Sequence, residues 1–190
     1  MKEVFKLVAI TFFLMSSVSV AVSQSEPTYE ELPNFHQVNA QLYRGAQPKA
    51  GGIERLAEMG IKTIINLRSG DERSRLEEQE ARAAGLNYVN VPFQRLGRPT
   101  EEQIAQVLSL INAAENQPVF VHCKHGADRT GVAIAIYRID HDGWSSERAK
   151  AEADRYGLKP WQMGMKDFIG DYYRRRSPRV TPSSHLANFH

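Results

Sequence analysis

The chain has little of what disulfide frameworks and nucleic-acid binders are built from. It holds a single cysteine, Cys123, in 190 residues, so no disulfide can form within one chain. Its 24 basic and 22 acidic residues leave a net charge of +2, which predicts no nucleic-acid partner. It has no internal repeat and no low-complexity tract. With 42% hydrophobic residues it has the composition of one globular domain, which at this length needs no disulfide or metal for stability.

The two ends of the chain differ from its middle. MKEVFK is a short basic start, the uncharged apolar run LVAITFFLMSSVSVAV follows, and small residues precede Gln24. We predict a signal peptide over residues 1–23, cleaved after Ser23, and therefore an exported protein, periplasmic or secreted, with no stable membrane association. An uncleaved membrane anchor is the alternative, because the apolar run is only slightly short for a span. Residues 24–36 are predicted to be a loose lead-in, and residues 177–190 a polar, mobile tail.

Residues 37–176 are predicted to form the folded domain, because strand-like and helix-like patterns alternate along them. Short β-branched runs indicate buried strands, and apolar residues three to four apart indicate helices, with Thr100 as one N-cap. This alternation predicts an α/β fold with a mainly parallel central sheet flanked by helices. The predicted strands are 41–45, 61–68, 86–93 and 117–123, and the predicted helices are 51–60, 74–85, 99–114, 131–139, 145–157 and 161–176.

The cysteine lies in the stretch HCKHGADRT, residues 122–130, directly after the apolar run PVFV. In an α/β sheet, ligands bind where the carboxyl end of a strand leads into the next helix. Such a loop turns several backbone N–H groups towards one point, and the helix dipole adds positive potential, which stabilises a thiolate and also binds phosphate. The Arg129 guanidinium can grip two phosphoryl oxygens at once. Together these groups would transfer a phosphoryl group without a metal or another cofactor.

Each residue of this stretch has a predicted role. Cys123 is the nucleophile and Arg129 the phosphate clamp; His122 steadies the thiolate without acting as the base, and the Thr130 hydroxyl donates a hydrogen bond to it. An inert packed cysteine is one alternative. A metal site at His122, Cys123 and His125 is another, although adjacent strand residues point to opposite faces. The predicted phosphate-binding residues are Lys124, His125, Gly126, Ala127, Asp128 and Arg129.

These residues resemble the HCxxGxxRTG signature of the cysteine-dependent protein tyrosine and dual-specificity phosphatases. LYRGAQP at 42–48 and GIKTIINLRS at 60–69 also resemble the small exported bacterial members of that superfamily, and the similarity covers roughly residues 34–175. The resemblance implies a dual-specificity-phosphatase-like fold, attack by the cysteine on phosphorus, a phosphocysteine intermediate and its hydrolysis by water. A rhodanese-type sulfurtransferase also has a cysteine loop before a helix, but the RTG ending favours the phosphatase.

The chain departs from this superfamily where a general acid is expected. In the family the acid is usually an aspartate on a loop upstream of the cysteine, and here that stretch, VPFQRL at 91–96, has no carboxylate. Asp128 is the predicted acid, because the DRT ending resembles the myotubularin and Sac-type lipid phosphatases, for which an in-loop acid has been proposed. Glu101 or Glu102 is one alternative and the absence of a dedicated acid is the other. Without an acid, phenolic phosphates would be favoured over alkyl phosphates.

Cations near the expected pocket indicate its substrate. Lys124 and His125 add positive charge to the floor, and arginines of the overhanging loop would suit a substrate with more than one phosphate, unless they are only solvated. The predicted partner is a phosphorylated protein, phosphotyrosine first, or a small polyanion such as an inositol phosphate or phosphoinositide. A catalytically weak phosphate-binding module is the alternative from another class, and the oligomeric state is left open. The arginines expected near the site are Arg95, Arg98, Arg68 and Arg73, while Trp144 and Trp161 are expected to pack under the last two helices.

Overall fold

The computed structural model describes residues 28–176, so the predicted signal peptide and the predicted tail lie outside the described residues. No helix in this range is long and apolar enough to cross a membrane. A 3-10 turn occupies Ala114–Asn116. In chain order the strands and helices are β1 His36–Asn39, β2 Leu42–Ala46, α1 Gly52–Glu58, β3 Thr63–Asn66, α2 Glu72–Ala83, β4 Asn87–Asn90, α3 Glu101–Asn112, β5 Val119–Cys123, α4 Asp128–Asp142, α5 Ser146–Arg155 and α6 Met163–Arg176.

The five strands form one sheet in the order β1-β2-β5-β3-β4. Only the β1–β2 pair is antiparallel; the β2–β5, β5–β3 and β3–β4 pairs are parallel. The predicted α/β fold with a mainly parallel sheet is therefore confirmed. In the register, Ala46 lies opposite Cys123 and Asn66 lies opposite His122, so the carboxyl ends of β2, β5 and β3 come together at one edge. The candidate site around Cys123 lies at this edge.

Both faces of the sheet are covered, and β5 is buried along its whole length. Val119, Val121 and Cys123 pack into the apolar cluster shared with α3, α4, α5 and α6. Phe120 points the other way, into the cluster under α1 and α2. The His122 ring stacks on Phe120 with centroids 5.4 Å apart. Because side chains alternate along a strand, Cys123 and His122 face opposite sides of the sheet, as the sequence predicted.

The prediction of a loose lead-in is wrong for residues 28–36. Leu32 is only 2% exposed, and Phe35 packs against Tyr43 and Phe120 at centroid distances of 5.6 and 5.9 Å. This aromatic packing fixes the chain ahead of β1, which begins at His36. No strand is predicted at β1, because HQVN contains only one apolar residue. The predicted Thr100 N-cap of α3 is confirmed: the Thr100 hydroxyl accepts from the Gln103 N–H at 3.2 Å.

Candidate active site

The loop of residues 124–127 joins the carboxyl end of β5 to α4, and its residues Lys124 and His125 line a cavity of about 240 Å³. Cys123, the last residue of β5, is 2% exposed, and Arg129, in the first turn of α4, is 7% exposed. The helix begins at Asp128 and not at Gly131 as predicted, because Ala127 provides no side-chain cap that could mark the start in the sequence. The residues that line the cavity are Arg95, Leu96, Cys123, Lys124, His125, Asp128, Arg129, Lys159, Trp161 and Gln162.

Three consecutive carbonyl oxygens of this loop are bound from the side of β2 and of the segment before β1. The donors belong to residues far away in the chain, separated from the loop by as many as 91 positions. The three hydrogen bonds are Gln47 N to Lys124 O at 3.4 Å, Asn34 Nδ2 to His125 O at 3.0 Å, and Arg44 Nη2 to Gly126 O at 2.8 Å.

These carbonyl contacts set the direction of the loop amides. In a planar trans peptide the N–H points away from the C=O. The N–H groups of His125, Gly126 and Ala127 are therefore turned to the opposite side, towards the cavity. Within residues 28–176 none of the three donates to another residue. The loop is thus an anion-binding nest, placed at the N-terminus of a 15-residue helix whose dipole adds to its potential.

Gly126 allows the loop to lie against β2. Its φ is +67°, a left-handed conformation that L side chains rarely adopt, and a Cβ there would lie 2.5 to 2.7 Å from backbone atoms of Gly45 and Ala46. Both the conformation and the close approach therefore require glycine.

We expect Gly126→Ala to lower the free energy of unfolding by about 3 kcal/mol, since backbone strain and overlap with β2 each cost about 1–3 kcal/mol. Binding of inorganic phosphate should weaken as the loop shifts. Gly85→Ala is the matched control, because Gly85 has φ +79° and nothing within 4 Å of its added Cβ. Urea unfolding of both variants and calorimetric phosphate titration check this; equal losses of stability would show that the approach to β2 is unimportant.

Arg44 provides a buried positive charge beneath the loop. Its side chain is 1% exposed, and its guanidinium lies 4.4 Å from the centroid of the Tyr156 ring. Burial lowers the pKa of Arg44 to about 10, opposed by the charges of Glu152, Tyr156 and Cys123, so it stays charged at neutral pH. Sequence reasoning missed it. The signal was there: a charged residue in the middle of QLYRG, a run that the sequence predicts to be a short strand.

Arg129 keeps its predicted place in the cavity, but Thr130 does not. Arg129 Nη1 donates to Leu67 O at 3.4 Å, which anchors the guanidinium at the end of β3. The Thr130 hydroxyl makes no hydrogen bond to any residue between 28 and 176. Since α4 already begins at Asp128, Thr130 lies within the helix and is fully enclosed, and the predicted donation to the thiolate is wrong.

His122 pairs with a carboxylate that sequence reasoning missed. His122 Nε2 lies 3.0 Å from Glu77 Oε1, poorly aligned for a hydrogen bond, and both side chains are fully buried. Burial by itself raises the pKa of the Glu77 carboxyl, but His122, with Gln47 and Arg73, lowers that pKa below its ordinary value. The other ring nitrogen, Nδ1, lies 3.4 Å from the Cys123 carbonyl oxygen. His122 therefore contacts the backbone of the cysteine from the opposite face of the sheet.

Of the three acid candidates, only Asp128 lines the cavity. Its Oδ1 accepts from the Lys159 N–H at 2.9 Å, which ties the loop before α6 to the start of α4. Glu101 is ion-paired with Arg175 on the outer surface. The pKa of Glu102 is lowered by hydrogen bonds from its own backbone N–H and from Thr100, which keeps it ionised.

Lys124 and His125 line the cavity, and of the four arginines expected near it one reaches it and three do not. Arg95 lines it. Arg98 is instead ion-paired with Asp171 and lies over the Phe168 ring. Arg68, just after β3, is ion-paired with Asp71, the N-cap of α2, and Arg73 is ion-paired with Glu80 along α2. Neither lines the cavity, so the expectation that they face the site is wrong.

The loop between α5 and α6 contributes three residues that sequence reasoning did not place here: Lys159, Trp161 and Gln162. Trp161 is 70% exposed, so its predicted packing is wrong, whereas Trp144 lies under the Arg148 guanidinium at 3.7 Å. Among residues 28–176, no three His, Cys, Asp or Glu side chains form a group that could hold a metal ion.

The chain is similar in sequence to known phosphatases. Residues 18–170 match the family model described as DSP-PTPase phosphatase fused to NAD+ kinase. The chain is 34% identical to the dual specificity protein phosphatase TpbA of Pseudomonas aeruginosa over 66% of this chain and 55% of that protein. It is 31% identical to the tyrosine-protein phosphatase-like protein OCA2 of Saccharomyces cerevisiae, over 72% and 69% respectively. It spans about half the length of TpbA and of the inositol diphosphatase DSP2 of Oryza sativa, to which it is 30% identical.

Solved structures share the fold. The crystal structure of P. aeruginosa TpbA superimposes with a TM-score of 0.60 at 27% identity, over 76% of this chain and 86% of that one. The catalytic core of the S. cerevisiae phosphatase Siw14 gives 0.65 at 23% identity, over 78% and 93%. With the family model matching most of its length, the chain belongs to the DSP-PTPase family of cysteine-dependent phosphatases.

Proposed function

We propose that the protein hydrolyses phosphomonoesters with Cys123 as its nucleophile, and that its preferred substrate is phosphotyrosine in a protein. The observation that carries this proposal is the position of Cys123 at the base of a nest of free N–H groups, beside the buried Arg129 guanidinium. The relative TpbA is named a dual specificity protein phosphatase, and a TpbA variant has been crystallised with phosphotyrosine.

The chemistry follows from this geometry. The Cys123 thiolate attacks phosphorus and forms a sulfur–phosphorus bond while the ester oxygen leaves and takes up a proton. Water then cleaves the sulfur–phosphorus bond, which releases inorganic phosphate and restores the thiolate. In both steps the loop N–H groups and the Arg129 fork bind the equatorial oxygens, and they are fixed in place before the reaction begins.

We assign the proton for the leaving oxygen to Asp128, the one acid candidate at the cavity. We expect Asp128→Asn to lower kcat by about 10²-fold for an alkyl phosphate and only slightly for p-nitrophenyl phosphate, whose leaving group needs no proton. Asparagine keeps a side-chain oxygen that can accept from the Lys159 N–H, so the variant removes the acid and preserves this contact. Asp128→Ala, which removes both, is the comparison. Equal losses on both substrates in Asp128→Asn would contradict the assignment.

A second candidate substrate is an inositol phosphate or phosphoinositide. Besides Arg129, four side chains at the cavity are or can become cationic, which suits a ligand with several phosphates. Some relatives are named inositol diphosphatases. The four side chains are Arg95, Lys124, His125 and Lys159.

Phosphate release, measured in excess EDTA, tests the proposal. Phosphotyrosine peptides, phosphoserine peptides and inositol polyphosphates are compared by kcat/KM. Turnover that survives EDTA and is fastest on phosphotyrosine supports the first assignment, and a preference for the inositol compounds supports the second. No turnover on any of them, with phosphate still bound, would identify a catalytically weak phosphate-binding module. Transfer of sulfur from thiosulfate to cyanide would indicate a sulfurtransferase instead.

A further inference from the structure

We propose that the mouth of the cavity is a recognition surface for the protein segment that carries the phosphotyrosine. We call it the mouth surface; it fits a segment with an apolar side chain next to the phosphorylated residue and acidic side chains around it. This inference rests on the proposed function. The mouth surface consists of Leu96, Trp161 and Met163 with the cations Arg95, Lys124 and Lys159.

Exposed apolar side chains are concentrated at this mouth. In residues 28–176 four large hydrophobic residues are exposed: Leu76 on α2 at 45%, Leu96 at 59%, Trp161 at 70% and Met163 at 59%. Leu96 and Trp161 line the cavity itself. Exposed apolar residues scattered singly are normal on a protein surface, whereas a group of them around a pocket marks a binding site.

The three apolar residues of the mouth surface lie on two segments that touch. A Cβ on Gly164, the residue after Met163, would lie 3.3 Å from the carbonyl carbon of Gly97, the residue after Leu96. Beside this approach, Gln162 Nε2 donates to Arg95 O at 3.1 Å. The first turn of α6, with the loop that leads into it, and the loop before α3 therefore form one continuous surface.

Trp161 is held in its exposed position by fixed neighbours. On one side of it, the Lys159 N–H is bound to Asp128 Oδ1, and on the other the Gln162 side chain is only 5% exposed and bound to Arg95 O. The Gln162 N–H also donates to Lys159 O at 3.1 Å, which closes the turn that carries the indole. An indole kept in water by an ordered turn is a rigid apolar contact of the kind that dominates interface energies.

The charges of the mouth surface favour a protein segment that carries acidic side chains. The backbone contact to Lys159 occupies one oxygen of Asp128, the only acid between residues 28 and 176 that lines the cavity. Arg95, Lys124 and Lys159 form no ion pair with any residue in this range. Lys159 Nζ lies 5.9 Å from the centroid of the Trp161 ring, so an apolar and an acidic group of one partner can be bound side by side. Tryptophan with lysine would also suit an anionic bilayer, but the centre of this surface is a concave cavity, which a projecting side chain fills and a flat bilayer does not.

The test compares kcat/KM on two phosphotyrosine peptides, one with leucine and glutamates beside the phosphotyrosine and one with glycine and serine there. Each value is divided by that for p-nitrophenyl phosphate. We expect the acidic–apolar peptide to be preferred about tenfold by the wild type, and this preference to be lost in Trp161→Ala and reduced in Lys159→Gln. Leu76→Ala is the control: it removes the exposed leucine of α2, and the preference should stay.

Equal ratios for both peptides in the wild type, or a preference that Trp161→Ala leaves unchanged, would overturn the proposal. Sedimentation with phosphatidylserine vesicles that Trp161→Ala abolishes, without a peptide preference, would assign the surface to a bilayer and also overturn it. If p-nitrophenyl phosphate is not hydrolysed, the proposed function fails by itself. Calorimetric titration of the same two peptides then decides on the mouth surface, with the same tenfold difference expected in Kd.

Discussion

Cys123→Ser is expected to lower kcat on p-nitrophenyl phosphate by about 10⁴-fold or more while the protein still binds phosphate. A serine hydroxyl is not ionised at neutral pH, so it needs a base to become a nucleophile. His122, its neighbour in the chain, cannot take the hydroxyl proton, because it faces α2 on the opposite side of the sheet, where it is paired with Glu77. The N–H nest and Arg129 remain, so inorganic phosphate should bind with little change in Kd.

Two measurements separate loss of chemistry from loss of structure. Equal thermal unfolding temperatures for wild type and Cys123→Ser are the control, which we expect because serine is slightly smaller than cysteine at a position 2% exposed. Rapid denaturation of the wild type during turnover should leave a phosphorylated protein that the variant never yields. Turnover retained in the variant would place the nucleophile on another residue and remove the basis of the proposed mechanism.

The strand–loop–helix that holds Cys123 could be predicted because its signals are local. PVFVHC is an apolar run of strand length, Gly126 permits a tight loop, and the apolar residues after Arg129 continue as a helix. These features depend on neighbouring residues and on no distant contact. The same holds for Thr100, whose capping interaction spans three residues.

The contacts of Arg44 and Glu77 could not be predicted, because they depend on how the strands and helices are arranged next to one another. Arg44 reaches the Gly126 carbonyl across 82 residues, because β2 pairs with β5 in a register that sets Ala46 beside Cys123. Glu77 meets His122 because α2 packs on the face opposite Cys123. No pattern along the chain encodes either contact. The prediction that Trp161 is packed was wrong for a related reason. An aromatic residue near a helix is usually packed, whereas the exposure of Trp161 depends on the contacts that Lys159 and Gln162 make with other segments.

The same long-range contacts explain how the loop can be ready for phosphate before phosphate arrives. Three of its carbonyls accept hydrogen bonds from Arg44 in β2, from Gln47 just after it and from Asn34, and the buried Arg44 also contributes a charge. A desolvated guanidinium is costly to keep in a fold, and here it holds the loop in the one orientation that presents N–H groups to the cavity. Binding energy is then available for the transition state and is not needed to order the loop.

Arg129→Lys is expected to lower kcat/KM on p-nitrophenyl phosphate by about 10²- to 10³-fold. Lysine keeps the positive charge but is a point donor, whereas the guanidinium fork can bind two phosphoryl oxygens together, and this fit is best when the oxygens spread in the transition state. The loss should therefore appear mainly in kcat. Steady-state kinetics of the variant beside the wild type measure it.

Arg95→Lys is the matched control, since Arg95 lines the same cavity from an exposed loop. Its loss should stay below about tenfold and appear mainly in KM, because an exposed cation attracts the substrate without touching the reacting phosphorus in a fixed geometry. Similar losses in the two variants would mean that the cavity uses arginine only as charge, in which case the anchoring of Arg129 to Leu67 has no catalytic purpose. A loss in kcat for Arg129→Lys and a loss in KM for Arg95→Lys would show that the two positions have different roles. The Arg129 guanidinium would act on the reaction itself, and the cations at the mouth would act on the choice of substrate.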